Sequence, residues 1–165
     1  MQRLLILYCL LTIYGCSNIA NFPLSSPNEK VSDPRIMGVW KLEEDTNTNN
    51  FYEVCRIDEP FKYHTKFWDK GGTNPTYESA IFFSEVAGER FINVPYFDGR
   101  PWVIRYMFLR VLNVDKDFTR ITAAVVGDTT MRRIPHPKAL RRHVAGNIHN
   151  SAFYSDTIHL YKTNR

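Results

Sequence analysis

Three cysteines in 165 residues are too few for a disulfide framework. Their positions lower the count further: Cys9 lies in an apolar N-terminal run, Cys16 directly follows it, and Cys55 alone remains in the rest of the chain. One cysteine cannot form an intramolecular disulfide. Residues 51–57 supply neither a base nor a nucleophile motif beside Cys55, so this thiol reads as a small buried hydrophobe. Charge of one sign is also missing. Lys and Arg number 21 against 17 Asp and Glu, a formal charge of +4, with none of the basic clustering that nucleic-acid binders need. The histidines, His64, His136, His143, His149 and His159, include no pair at the i, i+4 spacing of a helical metal site. Gly71 and Gly72 do not have phosphate-loop spacing and are not followed by Lys-Ser or Lys-Thr on a helix. No nucleophile elbow is present, and Asp69 and Glu78 read as carboxylates at strand ends. The chain is therefore expected to be no enzyme, to hold no cofactor or metal, and to bind no nucleic acid. Internal repeats and low-complexity blocks are absent as well.

The N-terminus carries the first positive signal. Arg3 precedes a ten-residue run, 4–13, broken only by Thr12. At 1.5 Å per residue a helix of that length cannot span about 30 Å of hydrocarbon, which makes residues 1–15 a secretory signal peptide. The residues that follow, Ile13-Tyr14-Gly15-Cys16, resemble the lipobox of bacterial lipoproteins. The resemblance implies that Cys16 becomes the first residue of the mature chain and carries acyl chains that hold it at a membrane. Loss of Arg3 takes the formal charge from +4 to +3. Ser17 stands where an inner-membrane retention signal carries Asp, so the resemblance implies the cell envelope and, by default, the outer membrane. Residues 16–35 are rich in Asn, Ser and Pro and read as a flexible tether.

From Gly38 the pattern changes to period two. Gly38, Trp40 and Leu42 share one face, Val39, Lys41 and Glu43 the other. Seven more strand-like runs follow, at 51–58, 62–69, 76–86, 90–97, 102–114, 118–126 and 156–162, with Gly, Pro, Asn and Asp between them. One stretch has helical spacing instead. Leu140, Val144 and Ile148 step by four after Pro137, which suits a first helical position. Strands in quick succession without alternating helices exclude a parallel α/β sheet. The expected fold is all-β, an eight-stranded antiparallel up-and-down barrel over residues 36–165, with one helix between the last two strands. Gly38-x-Trp40 resembles the opening motif of lipocalins and lipocalin-like bacterial domains, which implies the same architecture. The run at 102–114 is apolar on both faces, and the helix is expected to cover the face of Val103, Met107, Leu109 and Val111.

Aromatic residues make up 14% of the chain, and two readings compete for them. In one, large side chains fill a small barrel completely. In the other they line a cavity for one small apolar or amphipathic ligand. Alternation referenced to Trp40 gives Trp40, Tyr63, Phe67, Tyr106 and Phe108 as the wall. A third possibility is an envelope interaction module that binds a protein partner through its rim loops.

Overall fold

The computed structural model describes residues 18–25, 32–43, 50–56, 63–68, 74–75, 77–97 and 104–163. Eight strands form a closed antiparallel barrel in sequence order: β1 (Gly38–Leu42), β2 (Phe51–Arg56), β3 (Tyr63–Trp68), β4 (Tyr77–Val86), β5 (Glu89–Phe97), β6 (Ile104–Val114), β7 (Arg120–Val126) and β8 (Tyr154–Thr163). β1 pairs with both β2 and β8, so no sheet edge remains. The expected architecture is present, with helix α1 (Pro137–Asn147) between β7 and β8.

Local chemistry accounts for the joints. Ala87 and Gly88 both have positive φ, 50° and 83°, the conformation of a two-residue hairpin turn between right-twisted strands. Pro95, which has no N–H to give, lies beyond the last β4–β5 pair at Asn93 and still within the β5–β6 ladder. Asp115 closes the β6–β7 turn by accepting from the backbone N–H groups of Thr119 and Arg120 at 2.6 and 2.8 Å. α1 starts at Pro137, and His136 caps it by accepting the N–H of Lys138 on Nδ1 at 3.1 Å.

The apolar residues separate into two layers. The inner layer holds Ile36, Trp40, Val54, Tyr63, Ile81, Phe83, Ile92, Phe118, Ile121 and Ala123, inside the barrel. The outer layer joins Val86, Phe91, Phe108 and Val126 of the sheet's outer face to Leu140, Val144 and Ile148 of α1, with Met131 and Phe153 beside them. α1 thus packs outside the barrel through the three residues that its spacing singled out. The face it covers is the other one: Phe108 lies under the helix, while Met107 and Leu109 point inward and Val111 packs against the inner layer. Val103, the remaining member of the expected face, lies outside the described residues. Arg110 locks the end of the helix, donating to the carbonyl of Ile148 at 2.7 Å and pairing with Glu89 at 3.1 Å.

Residues 18–25 also belong to this outer layer. Ile19, Ala20 and Leu24 are buried. Ala20 and Tyr106 exchange two backbone hydrogen bonds of 2.9 Å, continuing the sheet beside β6 where β7 has already ended. The N–H of Leu24 donates to Asn93 Oδ1 at 2.9 Å, and Ser25 and Ser84 share a hydrogen bond of 2.5 Å. Arg141 of α1 donates to the carbonyls of Leu24 and Glu85. The expectation of a free tether over 16–35 therefore does not hold for these residues. Polar composition concealed three buried apolar side chains whose backbone groups find partners in the barrel wall.

Candidate functional site

One end of the barrel is plugged. A short 3-10 turn, Pro34–Ile36, crosses it just before β1, and Trp40 Nε1 donates to the carbonyl of Ile36 at 2.7 Å. Phe118, buried from the β6–β7 turn, meets the Trp40 ring edge-on at 6.4 Å. Lys162 Nζ lies 5.3 Å from the centre of the Trp40 ring and donates to the carbonyl of Arg35 at 2.9 Å. This lysine also explains Gly38. With φ at +132°, a Cβ on residue 38 would come within 2.5 Å of Lys162 Cε, so Gly-x-Trp serves the close approach of a lysine rather than of the ring alone.

Asp33 ties the plug to the wall. Its carboxylate accepts from Arg35 Nε and Nη2 at 2.9 and 2.8 Å and from Arg90 Nη1 at 3.0 Å, and its N–H donates to the Tyr63 hydroxyl at 2.8 Å. The Arg35 hydrogen bond, supported by Arg90, holds the Asp33 carboxyl below the usual carboxylate range. A depressed folded-state pKa contributes stability above the unfolded value, about 3.9, and that stability is lost as pH falls through the folded one. Asp33→Asn is accordingly expected to lower the melting temperature at neutral pH. The gap from the parent should narrow progressively as pH falls below about 3.9 toward the depressed folded-state pKa. A gap of constant size in thermal melts across that range would mean that the carboxylate's charge does not hold the plug.

Above the plug the interior is not filled. A cavity of about 420 Å³ is walled by side chains from all eight strands: Trp40 and Leu42, Tyr52 and Val54, Thr65 and Phe67, Ser79 and Ile81, Ile92 and Val94, Met107 and Leu109, Ile121, Ile158 and Leu160, with Ile36 at its base. Only Thr65 and Ser79 interrupt an otherwise aliphatic and aromatic wall. Ser79 Oγ reaches the carbonyl of Pro95 at a long 3.4 Å. Thr65 Oγ1 is buried and has no hydrogen-bond partner among the described residues.

Of the five aromatic residues expected at the wall, Trp40 and Phe67 line the cavity. Tyr63 points inward too, but its hydroxyl is held by Asp33 and its ring packs edge-on against Phe83 at 6.0 Å, within the plug. Tyr106 and Phe108 are on the outside, Tyr106 beside residues 18–25 and Phe108 beneath α1. The error is one residue of register on β6, whose two faces are equally apolar and offer no signal within the strand. Tyr52 and Leu42 were legible by alternation, since Tyr52 pairs with Trp40 and Leu42 follows it by two.

Cys55 lies on the face of β2 opposite to Val54, and burial, with the Glu53 carboxylate, pushes its thiol up. A thiol shifted that way is a poor nucleophile. Among the described residues no three His, Cys, Asp or Glu side chains converge on a point that could hold a metal ion. His143 pairs with Asp128 outside the barrel, and His64 with Glu78 at 3.0 Å on the outer face of β3 and β4. Neither pair has an opening to the cavity. Cys16 lies outside the described residues. No family model, no curated protein and no solved structure matches this chain.

Proposed function

We propose that this chain is a lipid-anchored barrel of the cell envelope that carries one small apolar or amphipathic ligand in its interior. The observation that carries the reading is the interior cavity. Its volume, about 420 Å³, falls in the range of roughly 300–1,000 Å³ usual for small-molecule sites. An apolar void of this size forfeits dispersion contacts around its whole lining and gives water few partners, so an apolar occupant gains on both counts. The Thr65 hydroxyl adds a polar preference. Left unpaired in a buried place it costs on the order of 1–3 kcal/mol, which a ligand hydroxyl or carbonyl at that height would recover. A molecule with a long apolar body and one hydrogen-bonding group fits better than a pure hydrocarbon. The anchor at Cys16 rests on the lipobox resemblance and gives such a carrier its location, since shielding an apolar molecule from water is of use beside a membrane.

Fatty acids and quinones test the reading. Trp40 forms part of the wall, so its emission is expected to shift as the cavity fills. Leu109→Trp, which pushes an indole into the void, is expected to lower ligand occupancy at least tenfold by native mass spectrometry while the far-ultraviolet spectrum stays that of a barrel. A flat titration of delipidated, folded protein across these classes would instead favour a module that binds an envelope protein through its rim.

A further inference from the structure

We propose that α1 and the turn before it form a cationic docking face for the anionic headgroups of a phospholipid bilayer. The proposal takes from the reading above only that a bilayer is near; the attraction itself uses no acyl chain.

The net charge of +4 is the sum of two unlike parts. Arg132, Arg133, Lys138, Arg141 and Arg142 stand within eleven residues, and no Asp or Glu occurs between Asp128 and Asp156. Without these five cations the chain has 16 Lys and Arg against 17 Asp and Glu. The whole positive excess therefore belongs to the segment between β7 and β8, outside the barrel. The expectation of no basic clustering does not hold there, because an average over the chain hides a local run.

Folding turns the run into a surface. Leu140, Val144 and Ile148 are buried against the sheet, which directs Lys138 and Arg142, one helical turn apart, to solvent. Both are exposed, as are Arg132 and Arg133 in the 3-10 turn Thr129–Arg133. None of these four has a carboxylate partner among the described residues. Arg141 is fixed in place by donating to the carbonyls of Leu24 and Glu85 at 3.1 and 2.6 Å. Lys138, Arg141 and Arg142 line an open groove of about 460 Å³ between α1 and the β4–β5 turn, and Val86, Ala87 and Ala145 complete its described lining. Glu89 at that turn is paired with Arg110, which leaves Glu85 as its exposed carboxylate against five cations.

Charge complementarity selects an anionic occupant, and each Lys or Arg close to an anionic leaflet raises partition about fivefold. Nucleic acid also presents phosphates, but single strands are held by stacking bases on aromatic rings as well as by charge. Residues 129–152 contain no Phe, Tyr or Trp. A leaflet needs only the charge, and the apolar lining among the cations suits the glycerol and first acyl carbons beneath a lipid phosphate.

Flotation of the chain from residue 16 onward with Cys16→Ala, which has every described residue and no attached lipid, tests the face apart from the anchor. It is expected to float with mixed phosphatidylcholine and phosphatidylglycerol vesicles at low salt and not with phosphatidylcholine alone. The Debye length falls from about 10 Å at 0.1 M salt to about 3 Å at 1 M, so 1 M salt should release it. Lys138→Gln with Arg142→Gln should lower partition at least about tenfold and leave the melting temperature unchanged. Lys116→Gln with Arg120→Gln removes the same charge from exposed residues at the β6–β7 turn and should lower partition less than about twofold. A dye on Gly146→Cys, in a Cys55→Ser background, locates the contact without removing a cation, since a Cβ there meets nothing within 4 Å. Quencher-bearing headgroups should dim it in anionic vesicles only. Failure to float with anionic vesicles, equal flotation with neutral ones, or equal loss in the two double variants overturns the docking face. Retention on single-stranded DNA at a salt that strips the protein from anionic vesicles overturns it in favour of nucleic acid. The anchor is read separately, since its failure would leave the lipidated parent unable to float with phosphatidylcholine vesicles.

Discussion

Val144→Asp is expected to remove a large part of the stability of this domain. Val144 is fully buried between α1 and the outer face of the barrel, with Leu140, Ile148, Phe91 and Phe108 in the same cluster. A carboxylate there must either lose its hydration or force the helix off the sheet, and the cost is on the order of 4 kcal/mol or more. Domains of this size have only about 5–15 kcal/mol in total. The size of the loss should depend on pH. Burial raises the folded-state pKa of the new carboxyl above its unfolded value, so the deficit from the parent grows as pH rises past about 4 and shrinks below it. Urea titrations at pH 7 and at acid pH measure both effects. Arg142→Asp on the exposed side of the same helix should change stability by less than about 1 kcal/mol. If the two substitutions cost the same, the helix is not held through Val144.

Phe108→Ala is expected to cost about 3–5 kcal/mol, the usual loss for a fully buried phenylalanine whose surroundings cannot collapse into the space. Phe108 has no exposed surface and sits where the sheet, α1 and residues 18–25 meet. The informative part is the contrast with its neighbour. Leu109 faces the cavity, so its replacement by Trp should act on ligand occupancy, whereas Phe108→Ala should reduce stability and leave the affinity of the remaining folded protein unchanged. Ligand affinity that falls with Phe108→Ala and survives Leu109→Trp would place β6 in the opposite register.

These two residues mark the point at which the sequence stopped being legible. Alternation worked where the two faces of a strand differ in polarity. Gly38, Trp40 and Leu42 stand against Val39 and Lys41, and Tyr63, Thr65 and Phe67 against His64, Lys66 and Trp68; the inward sets hold in both strands. β6 has no such contrast. Tyr106 and Phe108 are as apolar as Met107 and Leu109, and both sets are buried or half-buried, one by the helix and one by the barrel interior. Nothing local tells the two coverings apart. Residues 18–25 failed for a related reason. Asn, Pro and Ser make up four of these eight residues, yet Asn93 and Ser84, distant in sequence, supply hydrogen bonds that hold the segment while Ile19, Ala20 and Leu24 are buried.

By itself the sequence determined the number of strands, the antiparallel order, the place of the helix and the residues with which the helix packs, because period two, period 3.6 and turn chemistry are properties of neighbours along the chain. Only the tertiary structure decided which face of β6 is inside, that Lys162 meets Gly38 and Trp40 at the plug, and that the interior holds a cavity rather than a filled core. Each of these depends on closure. Joining β8 to β1 sets the register of every strand against a partner remote in sequence, and that register fixes how much of the interior the side chains can reach.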